Sequence, residues 1–81
     1  MSFQGLTPED QYRRVLGACD SAFRLRVLLV DGTEIPGEYA AFSGSPRGSL
    51  SIWDETGAEF DIPSCNIKDV LPPSVSLVGY I

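Results

Sequence analysis

The sequence contains no histidine, which removes Ser-His-Asp and Cys-His nucleophiles and most zinc and iron sites, all of which depend on imidazole. It has only two cysteines, Cys19 and Cys65, too few and too widely spaced for a disulfide framework or a four-ligand zinc site. Buried thiols are the expectation for both, with a single bridge between them as the alternative. No apolar run approaches the roughly 20 residues needed to cross a bilayer, and Met1-Ser2-Phe3-Gln4-Gly5 carries neither the basic nor the apolar region of a secretory signal. A cytoplasmic location without a membrane partner is therefore expected. Basic residues are scarce as well. Six Lys and Arg stand against eleven Asp and Glu, and the net charge of −5 opposes any binding powered mainly by neutralising phosphates. A basic or mixed partner suits such a chain better.

What is present is the material of one small folded domain. Hydrophobic residues make up 43% of the sequence and are spread along it rather than gathered in one run. A chain of 81 residues, read as a single domain over 1–81, holds a modest core and leaves little room for both a scaffold and a catalytic cleft. The expectation is a non-catalytic binding protein with no cofactor and no metal. Carboxylates alone can hydrolyse glycosides, which makes Asp54-Glu55 and Glu59 with Asp61 candidates. A small barrel gives them no deep cleft, and solvated strand edges account for them. The Gly44 to Gly48 stretch lacks the lysine and the helix start of a phosphate loop and reads as a hairpin loop.

Thr7-Pro8-Glu9-Asp10 has the form of a helix start, with a capping hydroxyl, proline at the first helical position and two carboxylates at the positive end of the dipole. The helix is expected over about 7–19, with Tyr12, Val15, Leu16 and Cys19 as its apolar stripe. From Phe23 the period becomes two: Phe23, Leu25, Val27 and Leu29 should face inward and Arg24 and Arg26 outward, ending at an Asp31-Gly32 hairpin turn. A second strand is expected from about Thr33 to Phe42, with Ile35, Gly37, Tyr39 and Ala41 on one face. Gly37 should allow a bend, and Pro36 should mark an edge or a bulge. Leu50, Ile52 and Trp53 form a third strand, Glu55-Thr56-Gly57 a turn, and Phe60 and Ile62 a fourth strand. Pro63-Ser64-Cys65-Asn66 makes a tight connection, read as one helical turn, into a fifth strand with Ile67, Val70 and Leu71 that stops at Pro72-Pro73. The fold class that follows is mainly β: an N-terminal α-helix, then a five-stranded SH3/Sm-like barrel over about 23–73, with the helix capping one open end.

Val30-Asp31-Gly32-Thr33-Glu34-Ile35-Pro36-Gly37 through Ala41-Phe42, followed by Leu50-Ser51-Ile52-Trp53-Asp54, resembles the first Sm motif of Hfq and LSm proteins. The stretch from Ile62 to Pro72 is similar to the second. RNA-binding members carry an asparagine before the third strand and a basic or His-containing turn before the fifth. Here those places read Ser45-Pro46-Arg47-Gly48 and Ser64-Cys65-Asn66, so the usual uridine pocket is missing. In size and layout the chain resembles the Rof family, acidic Sm-like barrels that inhibit the transcription terminator Rho. Val15-Leu16-Gly17-Ala18-Cys19 stands where that family's helix ends in Ala-Cys, and Leu25-Arg26-Val27-Leu28-Leu29-Val30-Asp31-Gly32 is similar to its first strand and turn. The resemblance implies a regulator of transcription whose acidic surface docks on an RNA-binding protein such as Rho and competes with RNA.

Candidate site residues follow from these readings. Glu9, Asp10, Asp20, Glu34 and Glu38 make an acidic surface for a basic groove, with a solubilising role as the alternative. For direct RNA binding, disfavoured by the net charge, Arg24, Arg26, Arg47 and Lys68 would meet phosphates and Tyr39 or Trp53 would stack on bases. Arg13, Arg14, Arg24 and Arg26 are expected to pair with carboxylates instead. Trp53 has the parity opposite to Leu50 and Ile52; burial under the helix is expected, an exposed anchor being the alternative. Val75, Leu77, Val78 and Tyr80 form an apolar, strand-like tail over 74–81 that should pair with a sheet edge, either joining copies into a homo-oligomer or folding back on its own barrel.

Overall fold

Thr7 begins the helix as its sequence dictates. In the computed structural model, which describes residues 2–43 and 48–73, the Thr7 hydroxyl accepts a hydrogen bond from the Asp10 amide at 3.2 Å, and helix α1 runs over Pro8–Ala18. Its buried line is Gln11, Val15 and Ala18 rather than the expected Tyr12-centred stripe. Tyr12 is instead 42% exposed and lies over Phe42 with ring centroids 6.5 Å apart. Leu16 and Cys19, on the flank of that line, are half-buried.

Five strands follow: β1 Arg24–Leu29, β2 Glu34–Phe42, β3 Ser49–Trp53, β4 Glu59–Pro63 and β5 Ile67–Leu71. They form one antiparallel sheet in the order β4-β3-β2-β1-β5. This is the expected class, mainly β with an N-terminal helix. The sheet curls until Leu25 and Val27 of β1, Leu50 and Ile52 of β3, Ile62 of β4, and Ile67 and Val70 of β5 share one core with Val15 and Ala18. Among the described residues no backbone ladder joins β4 to β5. Their link is the 3-10 turn Ser64–Asn66, the single turn expected there, whose Ser64 amide bonds the Gly48 carbonyl at 2.9 Å.

Two turns have the chemistry that their residues require. Gly32 (φ 92°) and Gly57 (φ 85°) both occupy the left-handed region, where a side chain is strained. The Asp31 carboxylate accepts from the Thr33 amide, and the Asp54 carboxylate accepts from the Thr56 and Ala58 amides and the Thr56 hydroxyl. These bonds favour the ionised acids and hold both carboxyls below the ordinary aspartate range.

Strand parity departs from expectation at three places. Phe23 does not begin β1: it sits at φ 60° in the turn closed by its amide on the Asp20 carbonyl, and its ring is 54% exposed. The β2–β3 register shifts between Tyr39 and Ala41, so Ala41 is exposed and Phe42 packs on the core. The bulge lies there and not at Pro36. The Leu29 and Tyr39 amides bond the carbonyls of Thr33 and Phe23, which marks odd positions of β2 as the bonded ones. Pro36 therefore turns its nitrogen away from β1, on the side where the β3 ladder, beginning at Glu38, does not reach. Lys68 is the extra residue where Leu28 faces Asp69 and Leu29 faces Ile67, which lets both Ile67 and Val70 point inward.

One element has no counterpart in the sequence reading. A 3-10 turn, Phe3–Gly5, brings Phe3 into the core at 0% exposure, edge-on to Phe42 at 6.1 Å. The Gln4 amide donates to the Ser64 and Ile67 carbonyls, both at 2.6 Å, and the Gln11 amide to the Phe3 carbonyl at 2.9 Å. The segment before α1 is thereby clamped to both β5 and the helix.

Candidate functional site

Charge pairing distinguishes the faces of the domain. Arg13 pairs with Glu9 at 2.7 Å and Asp10 at 3.6 Å, Arg14 with Asp69 at 2.8 Å, Arg24 with Asp20 at 3.0 Å and Arg26 with Glu34 at 2.6 Å. Every described arginine is thus matched by a carboxylate of the same chain, as expected for these four. The same pairs occupy four of the five acids assigned to a docking surface, Glu9, Asp10, Asp20 and Glu34. Glu38, the fifth, makes no ion pair among the described residues. Arg47, assigned to RNA contact, and the tail residues Val75, Leu77, Val78 and Tyr80 lie outside the described residues. Lys68 is exposed at the β5 bulge, and Tyr39 is half-buried against the core, where burial and the neighbouring Tyr12 hydroxyl push its phenol pKa up.

Trp53 is 43% exposed and is not covered by the helix. The sequence parity was right about its face, but α1 packs on the opposite, core side of the sheet through Val15 and Ala18. Directly opposite residues of an antiparallel ladder share a face, with β-carbons roughly 4.5–5.5 Å apart. Arg24 faces Glu38, Glu38 faces Trp53, and Trp53 faces Glu59, so one row crosses four strands on the outer surface. The indole stands between two carboxylates.

Beside it runs an open groove of about 460 Å³. Pro36, Gly37 and Pro73 give it apolar surface, and Trp53, Glu38, Asp54 and Glu55 line it together with Arg24 and Arg26. Those arginines are held in place from within the chain. Arg24 donates to Asp20 rather than across the row to Glu38, and Arg26 donates to Glu34 and to the Pro72 carbonyl at 2.8 Å. The exposed acids near the indole, Glu38, Glu55 and Glu59, make no ion pair among the described residues. An exposed indole, apolar backbone and ring surface, and carboxylates without ion pairs thus lie side by side on this face.

Both cysteines are free; Cys19 is half-buried, with burial first and Asp20 second pushing its thiol up, while Cys65 is exposed rather than buried as expected. Cys65 belongs to the 3-10 turn, whose inward position is taken by Ser64. Among the described residues no three metal-ligating side chains cluster, and no helix is long and apolar enough to cross a membrane.

The paired aspartates make acid sensitivity predictable. Asp69 is held below the ordinary range first by its hydrogen bond from Arg14, and Asp20 first by the Arg24 amide. Because their folded pKa values lie below the unfolded value of about 3.9, their stabilisation is present above that pH and is lost as pH falls through the depressed folded values. Denaturant unfolding at pH 7, 4 and 3 should show stability dropping with acid, and Asp69→Asn with Asp20→Asn should flatten the drop. An unchanged slope in the double variant would remove these two carboxylates as its source.

Compared with models of protein families, with curated proteins and with solved structures, the chain matches none.

Proposed function

We propose that this chain is a non-catalytic, protein-binding regulator of RNA-related machinery that docks its outer sheet face on a basic, RNA-contacting surface of its partner. The single observation that carries this reading is Trp53, exposed between Glu38 and Glu59 on a face whose arginines are already neutralised from within. An exposed tryptophan rimmed by polar groups is the common anchor of protein interfaces, and unpaired carboxylates around it steer a basic partner toward it. The resemblance to the Rof family makes Rho the partner to test first. Direct RNA binding draws less support, because Arg24 and Arg26 are committed to Asp20 and Glu34 and the face around Trp53 is acidic.

Docking on purified Rho, measured by titration calorimetry so that a variant without the chain's single tryptophan can be read, tests the proposal. Trp53→Ala should weaken binding by about tenfold or more, the size expected for an aromatic hot spot. Its unfolding free energy should stay within about 1 kcal/mol of the parent, as for a surface position. Equal binding by parent and variant, or tight, steeply salt-dependent binding to RNA with no binding to Rho, would overturn the reading.

A further inference from the structure

We infer that Trp53, Glu38 and Glu59 form a receptor for a single guanidinium, so that the face selects arginine over lysine on the partner's basic segment. This deepens the proposed function and rests on it. The row geometry provides the elements of such a receptor. A flat cation binds best over an indole face, and a guanidinium stacks there with its N–H groups directed outward in its own plane. Glu38 lies on one side of Trp53 and Glu59 on the other, each directly opposite it across the ladder. A stacked guanidinium would therefore meet a carboxylate at either edge, giving charge-assisted hydrogen bonds on both sides. An ammonium is a compact point charge; over the same ring it reaches one carboxylate at a time.

The groove alongside suits the rest of the side chain. Pro36, Gly37 and Pro73 present apolar surface along which the methylene stem of an arginine can lie. Pro36, in the same strand, has no amide left without a partner. Among the described residues the neighbouring cations do not fill the site: Arg24, next in the row, is drawn back onto Asp20, and Arg26 is tied to Glu34 and Pro72. With a net charge of −5, the occupant that complements the face is a positively charged, extended segment of another protein.

The test uses the intact chain and two capped nine-residue peptides, identical except that one carries three arginines and the other three lysines, titrated against Trp53 fluorescence. The arginine peptide should bind about three- to fivefold more tightly than the lysine peptide, the margin that stacking adds to charge. Glu38→Gln and Glu59→Gln should each reduce that margin while leaving the unfolding midpoint unchanged. Equal binding of the two peptides, or a margin that survives both substitutions, would overturn the inference. If the peptides bind equally yet Trp53→Ala still disrupts docking on the partner, the guanidinium receptor fails and the docking face stands. If Trp53→Ala leaves docking intact, the docking face fails as well.

Discussion

Replacing Phe3 by alanine should destabilise the chain by about 3–5 kcal/mol, the cost usual for emptying an aromatic site inside a packed core. For a chain of 81 residues, total stability is expected at roughly 4–12 kcal/mol, so this one side chain four residues before the cap is a large share of the whole. Phe3 is wholly buried, packed edge-on to Phe42 within the core that contains Val15, Leu25 and Ile67. Its neighbours cannot easily collapse into the vacated space. The Gln4 amide fixes the turn to the carbonyls of Ser64 and Ile67, and the Gln11 amide fixes it to α1. Chemical denaturation of Phe3→Ala measures the effect. Gln11→Ala separates packing from anchoring: it removes one of two bonds to the Phe3 carbonyl, which keeps the Leu6 amide, and should cost only about 0.5–1.5 kcal/mol. A loss below about 1 kcal/mol in Phe3→Ala would mean that the turn contributes little to the core.

Phe3 also shows where sequence reasoning stops. The helix start at Thr7, the hairpin at Asp31-Gly32, the alternation of Leu25 with Val27 and of Leu50 with Ile52, and the 3-10 turn after Pro63 are local signals, and each was legible. Phe3 belongs to no periodic run, and its partners lie on α1, β2 and β5, so only the assembled core shows what it does. The bulges at Ala40 and Lys68 are similar. Parity counting carries Ala41 inward and Phe42 outward until one residue is skipped, and nothing in the composition of β2 marks the skip. The larger apolar residue of the two was the available hint. Phe23 misled for a related reason, since the Asp20 carboxylate holds the amides of Ala22 and Arg24 and stabilises a turn that delays the strand by one residue.

The candidate face was half legible. The parity of Trp53 placed it away from Leu50 and Ile52, but its exposure depends on which side of the sheet the helix covers. Charge counting identified the acidic excess without its location, because pairing depends on contacts between distant segments: Arg14 meets Asp69, and Arg26 meets Glu34 across a hairpin. Once those pairs are subtracted, Glu38, Asp54, Glu55, Glu59 and Asp61 remain on β2, β4 and the turn after Trp53, with Asp31 in the first hairpin. Of the acids first assigned to a docking surface, Glu38 alone makes no ion pair among the described residues, and Glu59 flanks Trp53 with it.

Gly37→Ala should be the most informative change in the sheet itself. A β-carbon at this position would stand 2.8 Å from Ile52 Cδ1, 3.2 Å from Ile52 Cβ and 3.1 Å from the Trp53 carbonyl oxygen. Ile52 is completely buried, so its side chain has nowhere to swing, and the Trp53 oxygen belongs to the backbone of the neighbouring strand. Crowding of this kind costs about 1–3 kcal/mol, against which the stiffer unfolded chain returns only about 0.4–1 kcal/mol. The net sign is destabilising. Gly17→Ala is the matching control, since it lies within α1 with nothing within 4 Å of an added β-carbon; it should stabilise by roughly 0.5–1 kcal/mol. Because β3 must shift to admit the methyl group at position 37, the substitution should also move Trp53 relative to Glu38, altering its fluorescence and weakening docking together. Gain of stability at position 37 would show that β2 and β3 do not approach this closely. Lost stability with unaltered fluorescence and docking would separate the core packing of Ile52 from the geometry of the face that Trp53 occupies.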